Sequence, residues 1–102
     1  MDNTELQVIE NMYEKMKNRE IDTFYFYMYC KLKRNVEKFV QLSEGDKIVV
    51  LNFANDVYMQ NYLCDIDMLM EVIQKNIDDI LTNWVSVDDI CEELNDKMSE
   101  YI

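Results

Sequence analysis

Between Asp65 and Trp84 the chain reads DIDMLMEVIQKNIDDILTNW, with Ile66, Leu69, Met70, Ile73, Ile77, Ile80, Leu81 and Trp84 at helical spacing and the intervening positions mostly polar. Such a stripe predicts a helix with one face in a core. Residues 4–18 repeat the pattern with Leu6, Ile9, Met12, Tyr13 and Met16 on one face. Asn3 or Thr4 is available to cap that helix, and Lys15, Lys17 and Arg19 crowd its end, both favourable to the helix dipole. A terminal amphipathic helix of this kind packs on its own domain or exchanges with a second copy.

Asp22 is the expected cap for a further helix over Thr23–Leu42, whose stripe is Phe24, Met28, Leu32, Val36, Phe39 and Val40. Part of this segment also alternates: in FYFYMYCKLK, residues 24–33, Phe24, Phe26, Met28, Cys30 and Leu32 fall on one side and Tyr25, Tyr27, Tyr29, Lys31 and Lys33 on the other. Aromatic residues favour strands, so strands at 24–33, 36–42 and 47–53 form an alternative. Helix is preferred, because Val36–Leu42 fits helical spacing and no Asn-Gly or Asp-Gly hairpin turn joins the runs.

Ser43 and Asp46 have the spacing of a capping box and predict a helix start at Glu44. The following residues, 47–62, carry Ile48, Val49, Val50, Leu51, Phe53, Ala54, Val57, Tyr58 and Tyr62 on most sides. A helix apolar all round is expected to be central and largely buried. Asp65 or Asp67 can cap the helix that opens this section. Ser86 and Asp89 repeat the capping signal ahead of a last helix over Val87 to Tyr101. Its inner face is Val87, Ile90, Cys91, Leu94, Met98 and Tyr101, and its outer face Asp88, Asp89, Glu92, Glu93, Asp96 and Glu100. The expected fold is therefore an all-α compact bundle of about five helices in one domain spanning 1–102, with an α+β arrangement as the alternative.

Composition supports long elements with short connections, since the 102 residues are 49% hydrophobic with one Gly and no Pro. No apolar run approaches the roughly 20 residues of a membrane span. The N-terminus lacks the basic flank and apolar centre of a signal peptide, so a cytoplasmic location is expected. Cys30, Cys64 and Cys91 are odd in number and widely spaced, which suits reduced thiols packed as small hydrophobes. With no His and no CxxC pair, no metal site is expected. Asp65 and Asp67 lack the Gly turn and the distal bidentate Glu of a calcium loop. There is no Gly-rich phosphate loop and no nucleophile with a base beside it, so neither catalysis nor a cofactor is expected.

Charge changes the picture most. The net charge is −11, and it is unevenly placed: residues 1–47 carry 9 acids against 8 bases, whereas residues 48–102 carry 12 acids against 2 bases. Nucleic acid and anionic membranes should repel such a chain, and a basic protein should attract it. The candidate partner-binding residues are Asp78, Asp79, Asp88, Asp89, Glu92, Glu93 and Asp96. Asp88 and Asp89 lie in a first turn, where the dipole favours carboxylates, so helix physics alone accounts for them. Asp78 and Asp79 lie near a C-terminus, where it does not, and Asp96 and Glu100 share that position in the last helix. Local rules broken without local gain point towards function. A carboxylate row on two helices can imitate a phosphate backbone and block the groove of a nucleic-acid-binding protein, or dock a basic helix or tail. The competing explanation is a solvated face that aids solubility.

The aromatic cluster around Tyr25, Phe26 and Tyr29 cannot all lie on the Phe24, Met28, Leu32 stripe. These residues are either core to a second helix or the interface of a homodimer. Met68, Met70 and Met98 read as gap-fillers in a core before an adaptable binding surface. Lys31, Lys33, Arg34 and Lys38 form a basic patch beside the aromatics, a combination that binds single-stranded nucleic acid elsewhere. Here the overall charge opposes direct nucleic-acid binding, and these bases can offset the acidic half from within the fold. In general character only, the chain resembles small acidic inhibitors carried by phages and mobile elements, which implies a non-enzymatic protein-binding module acting in a host cytoplasm. A homo-oligomeric structural or adaptor module assembled through the aromatic face is the alternative.

Overall fold

The computed structural model describes residues 23–61 and 64–100, together with Gln7, Glu10, Asn11 and Glu14. Within residues 23–61 and 64–100 four helices follow one another: α1 (Thr23–Asn35), α2 (Glu44–Gln60), α3 (Ile66–Leu81) and α4 (Val87–Ser99), with a short 3₁₀ turn, Glu37–Gln41, between the first two. Among the described residues there is no strand, so the fold is all-α and the α+β alternative falls: residues 24–33 lie in α1 and residues 47–53 in α2. Of the helix expected at 4–18, only Gln7, Glu10, Asn11 and Glu14 are described, each helical and exposed. Its apolar stripe lies outside the described residues, as do Tyr62 and Tyr101.

The helices α2 and α3 form the central pair. Both α1 and α4 pack against each of them, without close approach of their own backbones to one another. On α3 the predicted stripe is the core: Leu69, Met70, Ile73, Ile77 and Ile80 are buried, joined by Val72. Each such side chain contributes about 1.5–3 kcal/mol when removed from water. Facing them are Met28 and Leu32 of α1, Val50, Leu51, Ala54 and Val57 of α2, and Ile90, Cys91 and Leu94 of α4. No polar or charged residue is buried among the described residues.

Helix ends follow the capping signals. Ser43 Oγ accepts from the Asp46 N–H at 3.2 Å, half of a capping box. Asp65, rather than Asp67, caps α3, accepting from the N–H groups of Asp67 (2.8 Å) and Met68 (3.2 Å). The Ser86 box is complete: its Oγ accepts from the Asp89 N–H at 3.1 Å, and the Asp89 carboxylate accepts from the Ser86 N–H at 2.9 Å.

Three expectations need correction. The helix expected over Thr23–Leu42 is broken at Val36, whose backbone is extended at φ −113° and ψ 101°. An unbroken helix of that length would run straight for roughly 30 Å. The break instead folds the 3₁₀ turn back onto α1, α2 and α3, burying Val36 and Phe39. The Phe39 ring meets Tyr29 edge-on at 5.6 Å, while Val40 is left exposed. Next, α2 is central but not covered on every side, because Ile48, Val49 and Met59 are exposed. Finally, Trp84 does not extend the α3 stripe: it is 80% exposed. The helix stops at Leu81, and Asn83 takes a left-handed conformation at φ 62° that turns the chain away.

Candidate acidic docking surface

Acidic side chains of α3 and α4 point along three directions, set by which helix each flank meets. On the flank of α3 facing α1 and the 3₁₀ turn, bases come from the other side: Lys31 Nζ lies 2.9 Å from Asp67 and Lys38 Nζ 2.8 Å from Asp78. Asp78, placed unfavourably for the helix dipole, thus gains a cross-helix partner. Lys31 and Lys38 of the basic patch serve the fold in this way, and the Asp67 carboxylate holds the Lys31 ammonium above its ordinary pKa. On the flank of α4 facing α2, Gln60 Nε2 donates to Asp88, and Asn61 Nδ2 donates to Asn95 at 2.7 Å.

Between α3 and α4 runs a seam with a regular register. Lys97 Nζ lies 2.8 Å from Glu71, and Lys75 Nζ lies 3.5 Å from Glu93, which also accepts from Asn76 Nδ2 at 3.2 Å. Moving from the first rung to the second advances four residues along α3 and retreats four along α4. The residues one further step along at the same spacing, Asp79 and Asp89, are both acids and both exposed. Asp89 already holds the Ser86 cap, and hydrogen bonds from the Ser86 backbone N–H and then its side chain keep the Asp89 carboxyl below the usual carboxylate range. Asp79 has no ion pair or side-chain hydrogen bond among the described residues, and the same is true of Glu92 and Asp96, both exposed on the outer crest of α4.

The seven candidate residues therefore do not form one row. Asp79, Asp89, Glu92, Glu93 and Asp96 belong to the seam and crest, whereas Asp78 and Asp88 lie on opposite flanks. From Asn76 to Asp96 the sequence holds these seven acids and no base.

At the seam's acidic end the chain turns a tight corner. The Trp84 N–H donates to the Asp79 carbonyl at 2.8 Å and the Asn83 N–H to the Ile80 carbonyl at 3.2 Å, a Schellman motif with Asn83 in the left-handed position. In that motif the residue after the left-handed one ordinarily packs on an apolar side chain of the last turn. Here the last turn offers Asp78 and Asp79, so the indole of Trp84 stays in solvent. The spacing of Trp84 points to the core; the sequence signal for the surface is the pair of aspartates on the turn before it.

The aromatic candidates divide. Tyr29 is buried in the core, Tyr25 is half-buried with its hydroxyl donating to Asn52 Oδ1 at 3.1 Å, and Phe26 is half-buried. Burial pushes the Tyr25 hydroxyl above its ordinary pKa. Beside them Phe24 stacks on Tyr58 at 4.2 Å, at the edge of an open groove bounded by Asn52, Asn55 and Met59. Cys64 and Cys91 are buried, and burial raises both thiols above their ordinary pKa, opposite to an activated nucleophile. Among the described residues no helix is long and apolar enough to cross a membrane, and no cluster of acids and thiols is arranged to hold a metal ion. The chain matches no family model, no curated protein and no solved structure.

Proposed function

We propose that this protein is a non-enzymatic binding module whose acidic α3–α4 surface docks on a basic protein, in its most concrete form an inhibitor covering the nucleic-acid-binding groove of that partner in the cytoplasm. The observation that carries it is the base-free run from Asn76 to Asp96, in which Asp79, Glu92 and Asp96 project from rigid helices without a side-chain partner among the described residues. Asp67, Glu71 and Asp78 of α3, by contrast, each meet a lysine. Carboxylates on preformed helices lose little freedom on binding, and opposite charge accelerates encounter with a Lys/Arg groove. Competition then follows from occupancy: nucleic acid and this protein cannot neutralise the same cations together.

The test is a nuclease-treated pull-down at low salt comparing wild type with a variant in which Asp78, Asp79, Glu92, Glu93 and Asp96 become Asn or Gln. A basic protein retained by the wild type, lost by the variant and released by moderate salt supports the proposal. Equal retention by both forms overturns it.

A second reading, a homo-oligomeric module, is favoured by the exposed Ile48, Val49 and Met59 of α2 rather than by Tyr29, which the core occupies. It predicts concentration-dependent association in sedimentation that salt leaves intact and Ile48→Lys removes.

A further inference from the structure

We propose that the open groove between α1 and α2 binds a small organic ammonium ion of the choline type, a methylated cation with a hydroxyl oxygen beside it. This goes beyond the acidic docking surface, because the described residues lining the groove all come from α1 and α2. Two contacts hold its walls in place. The rings of Phe24 and Tyr58 stack at 4.2 Å, and the Tyr25 hydroxyl donates to Asn52 Oδ1 at 3.1 Å. Its volume is about 720 Å³, inside the range of roughly 300–1,000 Å³ usual for small-molecule sites.

In this frame stand polar groups that the fold does not use. Asp56 lines the groove and makes no ion pair among the described residues, and no Lys or Arg is among the described lining residues. Asn55 lines it too, and its Nδ2 is the one enclosed side-chain polar atom among the described residues without a hydrogen-bond partner. Such an orphan needs a water or a ligand to explain it. Rotation of the amide turns either its donor or its acceptor towards the groove.

The walls select the ligand. A carboxylate beside aromatic rings attracts a cation twice, by its charge and by the ring quadrupole, the combination that recognises methylated ammonium groups. A methylated ammonium carries its charge on an apolar surface. The rings and the Met59 thioether can therefore meet it without the three acceptors that a primary ammonium leaves to be supplied. The neighbouring hydroxyl oxygen accepts from the Asn55 amide. Anions are kept out by Asp56 and by the net charge of −11.

The experiment titrates the full chain with choline and with 3,3-dimethylbutanol, its uncharged isostere, following the methyl protons of each by NMR. The expected result is a saturable upfield shift for choline alone, the signature of methyl groups over ring faces. Asp56→Asn should weaken choline binding about fivefold, the worth of one charge contact in water. Tyr58→Leu should weaken it about three- to thirtyfold, the range of a cation–π contact. Asp56 is exposed, so Asp56→Asn keeps the fold whether or not Tyr58→Leu does. The variant in which Asp78, Asp79, Glu92, Glu93 and Asp96 are amides should bind choline as wild type does, which separates this site from the docking surface. Equal shifts from choline and its isostere, wild-type affinity in Asp56→Asn, or loss of choline binding in the amide variant would each overturn the proposal. Binding to phosphatidylcholine vesicles without binding of free choline would overturn it as well, since the ligand would then be a lipid surface.

Discussion

The two ends of the α3–α4 seam are built from the same helices in the same register, yet they differ in kind. At the far end, Glu71 meets Lys97 and Lys75 meets Glu93 within 3.5 Å, so charge is matched inside the chain. At the loop end, Asp79, Trp84 and Asp89 are all exposed, with no base in the sequence from Asn76 to Asp96. The pairing at the far end contributes little, since exposed ion pairs are worth about 0–1 kcal/mol each. What the comparison teaches is therefore about recognition more than stability. The balance of charge at one end and its absence at the other is the asymmetry on which the proposed docking rests, and the helix physics that places Asp88 and Asp89 in a first turn does not extend to Asp79.

The largest effect comes from removing what both ends share. Ile77→Ala, at a buried position between them, should cost about 2–5 kcal/mol in denaturant unfolding, because the cavity adds to the lost burial. Both ends of the seam should loosen together. If hydrogen exchange showed only the corner opening, the two ends would not belong to one cooperative unit.

A smaller change separates them. Ser86→Ala removes the hydroxyl half of the capping box at the corner alone and should cost about 0.5–2 kcal/mol. It also changes the acid limb of the stability profile. Asp89 titrates lower in the folded chain than in the unfolded one, so its contribution is complete above the unfolded carboxylate value of about 3.9 and is lost as pH falls through the folded value. In Asp89→Asn this part of the pH dependence should disappear, and in Ser86→Ala, which keeps the backbone N–H to the carboxylate, it should shrink. An NMR titration in which the Asp89 carboxyl of Ser86→Ala still titrates at its wild-type position would remove the cap as the cause.

The smallest effect sharpens the contrast most. Asp79→Lys replaces a carboxylate in the last turn of α3, where the dipole disfavours it, by a favoured cation and should stabilise the fold by about 0.3–1 kcal/mol, lessened by added salt. The same change should weaken binding of the basic partner, setting stability against recognition at one residue. A variant that gains stability without losing affinity would separate the corner from docking.

Much of the fold was legible as pattern. The stripe of α3 from Ile66 to Leu81, the helix starts at Glu44 and Val87, and the inner face of α4 were all readable, because caps and 3.6-residue spacing are local, while the start of α3 was left between Asp65 and Asp67 as caps. The segment around Val36 was not. Nothing in VEKFVQL forbids a continued helix, and the break is caused by what Val36 and Phe39 gain against α2 and α3. The two stripes that ended wrongly, at Trp84 and at Ile48 and Val49, share a cause: periodicity says that a residue can face a core and not that a neighbour is there to cover it. For the candidate site, composition located the acids, but it did not distinguish Asp78, matched by Lys38 from forty residues away, from Asp79 next to it.

The amino-acid order alone favoured an all-α chain, placed the capping signals at Ser43 and Ser86, and put an acidic surplus in the second half, whereas of the three thiols expected in the core Cys30 is only partly buried. The first three depend on chemistry within a few residues or on simple counts. Which acids meet a base, which aromatic ring is core and which is surface, and where the charge alternation runs out were decided by tertiary packing. These are long-range quantities, settled only when α1, α2 and α4 close around α3 and leave the Trp84 corner outside.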